Sequence, residues 1–203
     1  MFQVSDAVDI ADPVLVGKAA VGGCLAALSR PGIVVRIGAR SAPIAPLHAA
    51  TSELLLALLD QDTRLWLSPG AASDSTAASL KFHTGCFLAA SPGEAEFAVV
   101  DAIEELPPLE AFGAGSPACP ERSGTVLLQV AALGEGSRVG DRETLRLSGP
   151  GIRGERLLSV PYLGRAFLED WERNRARYPR GVDLYLACGE WLCGLPRTTR
   201  IEA

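Results

Sequence analysis

The residues of this chain best suited to chemistry are few: two histidines, two lysines, five cysteines, and several arginines that follow glycine or proline. His83 stands in Leu80-Lys81-Phe82-His83-Thr84-Gly85, where a helix is expected to end. A helix C-terminus favours a protonated imidazole by about 0.3–1 kcal/mol, so His83 is a candidate capping cation and a candidate ligand contact. His48 precedes the second expected helix without a recognisable partner, and it reads as structural.

Gly149-Pro150-Gly151-Ile152-Arg153-Gly154 satisfies the G-x-G-x-x-G spacing of dinucleotide sites. That chemistry needs a helix to open at the glycines, because the helix N-terminal amides hold the pyrophosphate. Here the chain continues as Arg156-Leu157-Leu158-Ser159-Val160-Pro161, an apolar run closed by proline. A glycine turn is the simpler reading, with Arg153 and Arg156 left as candidate anion contacts. Arg197 and Thr198 follow Pro196 and set a guanidinium beside a hydroxyl, a reasonable oxyanion or phosphate contact. The alternative for that segment is an edge strand with solvated polar residues.

None of these groups completes a catalytic set. The chain has no G-x-S-x-G elbow and no cysteine in a recognisable thiolate-stabilising setting, and Asp60 and Asp62 read as a turn. No catalytic residue is therefore assigned. The five cysteines include no C-x-x-C pair, and Cys188 and Cys193 are too widely spaced for a zinc knuckle, so no metal is expected. Reduced thiols point to the cytoplasm. The net charge of −5 argues against a nucleic-acid partner. Asp6, Asp9 and Asp12 precede the first cation, the reverse of a signal peptide, and no apolar run approaches the roughly 20 residues of a membrane span.

The elements that must position these groups alternate. Asp12-Pro13 opens a helix whose apolar face is Val14, Val21, Leu25 and Leu28, weakened at Gly22 and Gly23. Ile33 to Ile37 reads as a strand, and Leu47 to Leu59 as a helix with a leucine stripe. Arg64 to Leu67 is a strand, and Asp74 caps a third helix stopped by Gly85. Strands are expected at Glu96–Asp101 and Thr125–Leu133, separated by a short acidic helix and a Pro/Gly-rich loop. Another is expected at Glu143–Leu147, then a charged helix within Tyr162–Tyr178 and strands at Val182–Ala187 and Trp191–Leu195. This order predicts one α/β domain over residues 1–203, three-layered α/β/α, with a mixed sheet.

Several short segments together resemble one family. They include Ser29-Arg30-Pro31-Gly32, Ala50-Thr51-Ser52, Ser79-Leu80-Lys81-Phe82-His83-Thr84, Leu128-Gln129-Val130-Ala131, Leu145 through Ile152, Gly181-Val182-Asp183, Cys188-Gly189-Glu190 and Pro196-Arg197-Thr198-Thr199. In this order, over about residues 20–202, the chain resembles the PhnH family of the bacterial carbon–phosphorus lyase system. The match is poor from Glu104 to Arg122.

The resemblance implies a scaffold or accessory subunit working with PhnG, PhnI and PhnJ. The assembled system replaces the adenine of ATP with a phosphonate, and radical cleavage belongs to PhnJ. It also implies a homodimer and a fold like that of pyridoxal-phosphate-dependent transferases, without a working cofactor site. Neither Lys18 nor Lys81 stands in a recognisable Schiff-base setting, so no cofactor is expected. The competing reading is an autonomous phosphate-ester or nucleotide enzyme using His83, Arg153, Arg156 and Arg197.

Overall fold

The computed structural model describes residues 16–37, 42–136, 144–160 and 163–202. Its spine is a seven-stranded sheet in the order β3-β2-β4-β5-β9-β10-β1. The strands are β1 (Val34–Arg36), β2 (Arg64–Leu67), β3 (Phe87–Leu88), β4 (Phe97–Val100), β5 (Thr125–Gln129), β9 (Asp183–Cys188) and β10 (Trp191–Leu195). From β3 to β9 every pairing is parallel; β10 then returns antiparallel, and β1 pairs antiparallel with β10. The run Val126-Leu127-Leu128 is buried on both faces, as a central parallel strand requires. The mixed sheet expected from the strand-rich C-terminal part is present.

One face of this sheet is covered by three helices, α1 (Val16–Ser29), α2 (Ala49–Leu58) and α3 (Asp74–Thr84). Leu54 and Leu55 of α2 and Leu80 of α3 pack with Leu65, Val99, Leu127 and Tyr185 of the sheet. Fully burying such side chains contributes about 1.5–3 kcal/mol each. Ser73 rather than Asp74 caps α3, its hydroxyl accepting from Thr76 N at 3.0 Å. Gly85 ends that helix in the left-handed region (φ 77°), as expected.

The opposite layer departs from the α/β/α expectation. It holds one helix, α4 (Gly164–Ala176), beside a four-stranded antiparallel sheet in the order β11-β7-β8-β6. Its strands are β6 (Gly134–Glu135), β7 (Thr144–Ser148), β8 (Arg156–Ser159) and β11 (Arg200–Glu202). Leu145, Leu147 and Leu158 turn inward with Phe167 and Trp171 against Val126, Leu128, Leu184 and Leu186. Two of these strands are only two or three residues long, too short to show a periodicity. Trp171 Nε1 donates to the Thr199 carbonyl at 2.8 Å, and the Asn174 amide exchanges two hydrogen bonds of 2.9 Å with the Val182 backbone. These polar clamps hold α4 to β11 and to the start of β9.

Two local expectations need correction. Asp12, Pro13 and Val14 lie outside the described residues, and within α1 the buried face is Ala20, Gly23, Cys24 and Ala27, whereas Leu25 is 63% exposed. The reason is close approach: a Cβ on Gly194 of β10 would lie 2.6 Å from the Ala27 carbonyl carbon. Only small residues fit between that helix and that strand. The acidic helix expected after β4 is a pair of one-turn 3-10 segments at Ile103–Glu105 and Leu109–Ala111, and a third, Pro120–Arg122, lies within the expected Pro/Gly-rich loop. Pro107 and Pro108, between the first two, leave too little uninterrupted chain for an α-helix.

Candidate functional site

In an open α/β sheet, ligands bind beyond the carboxyl ends of the parallel strands. A cleft of about 330 Å³ lies at that end, where β4, β5 and β9 stop. It is lined by His48, Asp101, Ala102, Ile103, Glu104, Gln129, Val130, Ala131 and Leu163. Asp101 is the first residue after β4, Gln129 is the last of β5, and His48 immediately precedes α2. A second hollow of about 250 Å³ shares Ile103 and Leu163 with it and extends along Leu106, Pro107 and Phe167.

The polar groups of the cleft are tied in one chain. The buried Gln129 amide oxygen accepts from the His48 backbone N–H, and its amide nitrogen donates to Asp101 Oδ1 at 2.7 Å. The Asp101 N–H donates to the Ser68 hydroxyl at 3.0 Å, and that hydroxyl donates to Glu105. Glu105 also accepts from Gly70 N–H. The ends of β2, β4 and β5 are thus fixed to each other and to the start of α2.

The His48 ring is oriented by the same geometry. Its Nδ1 lies 3.1 Å from the Ala187 carbonyl. A carbonyl only accepts, so Nδ1 carries the proton, and in the neutral ring Nε2 presents a lone pair. Cys188, at the end of β9, sits beside the Ala131 carbonyl at 3.6 Å. Burial pushes its thiol up from the ordinary range, so it supplies no ready nucleophile at neutral pH.

The residues expected to contact ligand lie elsewhere. His83 is exposed at the C-terminus of α3, which runs from the carboxyl end of β2 back to the amino end of β3. It therefore stands at the opposite pole from the cleft, its ring edge-on to Phe82 at 5.1 Å. Arg153 and Arg156 belong to the second sheet, Arg153 exposed in the turn and Arg156 half-buried at the start of β8. Gly149 to Gly154 joins the antiparallel strands β7 and β8, so no helix N-terminus faces those glycines.

Arg197 is saturated. Its Nε and one terminal nitrogen grip Asp183 at 3.0 and 2.6 Å; that same nitrogen meets the Ser123 hydroxyl, and the other donates to the Pro120 and Pro179 carbonyls. All five guanidinium donors are engaged, which leaves none for an anion. Arg197 is a clamp across the amino ends of β5 and β9. Thr198 is half-buried beside it, and a Cβ on Gly149 would meet the Thr198 carbonyl at 3.0 Å. The structure does not bring these five residues into one site. His48, Asp101 and Gln129 are the residues that sequence reasoning missed; the one available signal was their placement where strands end.

No group of three or more His, Cys, Asp or Glu suited to a metal ion occurs among the described residues. No helix among them is long and apolar enough to cross a membrane.

Fold and site together define an open mixed-sheet α/β protein with a small cleft at the strand ends. The family model for the bacterial phosphonate metabolism protein PhnH matches residues 9–202, and the chain belongs to that family. It is 35% identical over 192 residues, 95% of this chain and 93% of the relative, to the alpha-D-ribose 1-methylphosphonate 5-triphosphate synthase subunit PhnH of Rhizobium meliloti (strain 1021). It is also 37% identical over 116 residues, 56% of this chain and 54% of the relative, to a putative C-P lyase subunit protein, HtxG, of Stutzerimonas stutzeri.

Proposed function

We infer that this chain is a subunit of the carbon–phosphorus lyase machinery of phosphonate catabolism, supporting transfer of phosphonate onto the ribose of ATP. The observation that carries this reading is the near full-length likeness to a synthase subunit, 35% identical over 95% of the chain. Its role is accessory: the partners are PhnG, PhnI and PhnJ, and the chain forms a homodimer. Five free cysteines fit a reducing compartment, the cytoplasm. Kinship with the pyridoxal-phosphate-dependent transferase fold is part of the same proposal, supported by the mixed α/β sheet.

An accessory role fits the cleft, whose tethered groups hold and orient but include no activated nucleophile. The autonomous phosphate-ester enzyme loses support, because its four residues fall in different layers and Arg197 has no free donor. The test is co-expression with PhnG, PhnI and PhnJ from the same source and capture on a tag carried by PhnI. The chain is expected to co-elute in fixed stoichiometry. Assembly of the other three without it would overturn the subunit reading.

A further inference from the structure

The large sheet stops short at one edge. β3 pairs with β2 only as Arg64↔Phe87 and Leu65↔Leu88, whereas β2 continues to Leu67. The ladder fixes where the backbone groups of this edge point. The N–H groups of Phe87 and Ala89 donate inward, to the Thr63 and Leu65 carbonyls. Hydrogen-bonding direction alternates along a strand, so the N–H and C=O of Leu88 point outward. β3 is the last strand on this side, and among the described residues nothing pairs with Leu88 there.

Both faces of the edge are apolar. Leu88 is in register with Leu65, a core residue on the helix-covered face, and so faces α3. Phe87, in register with Arg64, faces the other way, and both side chains are exposed. Where β3 stops, a groove of about 370 Å³ opens between the end of β2, the Leu88 to Ala90 segment, and Ser73, Asp74 and Ala77 at the start of α3. Asp74 is the one charged residue among those lining it, and it has no ion-pair partner among the described residues. The N-terminus of α3 offsets about half of that charge, so the groove keeps a negative bias.

These features fit an extended chain rather than a folded surface. A strand laid against Leu88 closes the open ladder and sends alternate side chains to the Leu88 face and the Phe87 face. A groove with apolar walls and one carboxylate suits the long stem of a lysine or arginine, whose methylenes pack while its charge stays near Asp74. A second copy brings to this edge only another two-residue strand, about 7 Å long, too short to cover Leu88 and fill the groove as well. We propose that the β3 edge and its groove are a docking site for an extended apolar segment of another polypeptide, carrying a lysine or arginine that meets Asp74. The isolated chain holds the whole site, so its failure is separable from that of the assembly reading.

The experiment is selection of a phage-displayed library of random dodecapeptides on the purified full-length chain, followed by titration of the enriched sequences as synthetic peptides. Expected are alternating apolar residues with a lysine or arginine, and protection of the Leu88 amide from hydrogen exchange in the complex. Leu88→Pro removes an outward N–H, which an edge strand tolerates, and is expected to weaken binding tenfold or more. Ala77→Leu, which narrows the groove, is expected to do the same. Asp74→Asn should weaken binding several-fold at low salt and little at high salt. No enrichment overturns the proposal, as does an unprotected Leu88 amide in the complex. So does binding that Ala77→Leu and Asp74→Asn leave intact in folded protein. A dimer in light scattering that Leu88→Pro dissociates also overturns it, since a second copy would then occupy the edge. Failure of co-elution with the other subunits, with peptide binding preserved, would overturn only the subunit reading.

Discussion

A guanidinium with all five donors engaged behaves differently from one waiting for a ligand. Arg197 and Asp183 are 12% and 21% exposed at their side chains, so removing one partner strands a largely desolvated charge. Arg197→Ala is expected to cost about 3–5 kcal/mol in denaturant unfolding. Arg197→Lys is expected to recover little of that, because an ammonium cannot span Asp183, Ser123 and two carbonyls at once. A melting temperature unchanged in Arg197→Ala would show that the clamp is not structural. The thiols make a second prediction. Burial raises the Cys24 thiol, and it pushes Cys193 up to about 12. The folded state holds these protons more tightly than the unfolded chain, so stability is present below the ordinary thiol value near 9 and is lost as pH rises from there toward about 12. Unfolding followed between those limits should show declining stability, with a shallower decline in Cys193→Ala. An equal slope in both proteins would refute this. Residue chemistry was legible in the sequence only where a group acts through its neighbours in the chain, as Gly85 does in stopping a helix. His48 and Gln129 meet across 81 positions, and no local spacing announces such a pair.

At the scale of elements, the glycines of α1 show what periodicity misses. Gly22 and Gly23 read alike in sequence as two helix-weakening residues. In the fold a Cβ on Gly22 would meet nothing within 4 Å, whereas one on Gly23 would lie 2.5 Å from Ile37 Cδ1. Gly22→Ala is therefore expected to raise stability by up to about 1 kcal/mol, the propensity gain alone. Gly23→Ala sets that gain against repacking of a buried isoleucine tip and should destabilise by about 1–3 kcal/mol. Gly194→Ala meets backbone atoms of Ala27 and Leu28 at 2.6–2.8 Å, which cannot rotate away, so its loss should be the largest of the three. Thermal unfolding of the three variants gives the order directly; a stabilised Gly194→Ala would mean that α1 does not pack on β10 this closely. The leucine stripe of α2 was readable because large residues at helical spacing mark a buried face. The face of α1 was not, since its buried side is made of small residues and its Leu25 points outward. The second sheet was half legible: β7 and β8 alternate or run apolar, while β6 and β11 are defined only by the strands beside them.

At the scale of the whole molecule, the edge of the large sheet at β3 stands out. Phe82 is 84% exposed, Phe87 62% and Leu88 38%, and they cluster on the last turn of α3 and the edge strand that follows it. Apolar groups gathered at a sheet edge mark contact surfaces, and a two-residue edge strand limits the hazard of indiscriminate pairing. This edge is at the far side of the sheet from β1 and β10, and His83 lies beside it at the end of α3. On the subunit reading proposed above, it is the surface that would meet a second copy or another subunit. Phe87→Asp and Phe82→Asp should leave unfolding of the isolated chain within about 0.5 kcal/mol, because each side chain is already in water. Truncating an interface anchor typically costs 2 kcal/mol or more, roughly thirtyfold in affinity. The pair of substitutions should therefore abolish either the dimer in light scattering or the co-elution with PhnI, and which of the two is lost identifies the occupant. Wild-type behaviour in both measurements would assign the edge no partner and move the search for the contact surface to the layer built by α4 and the antiparallel sheet.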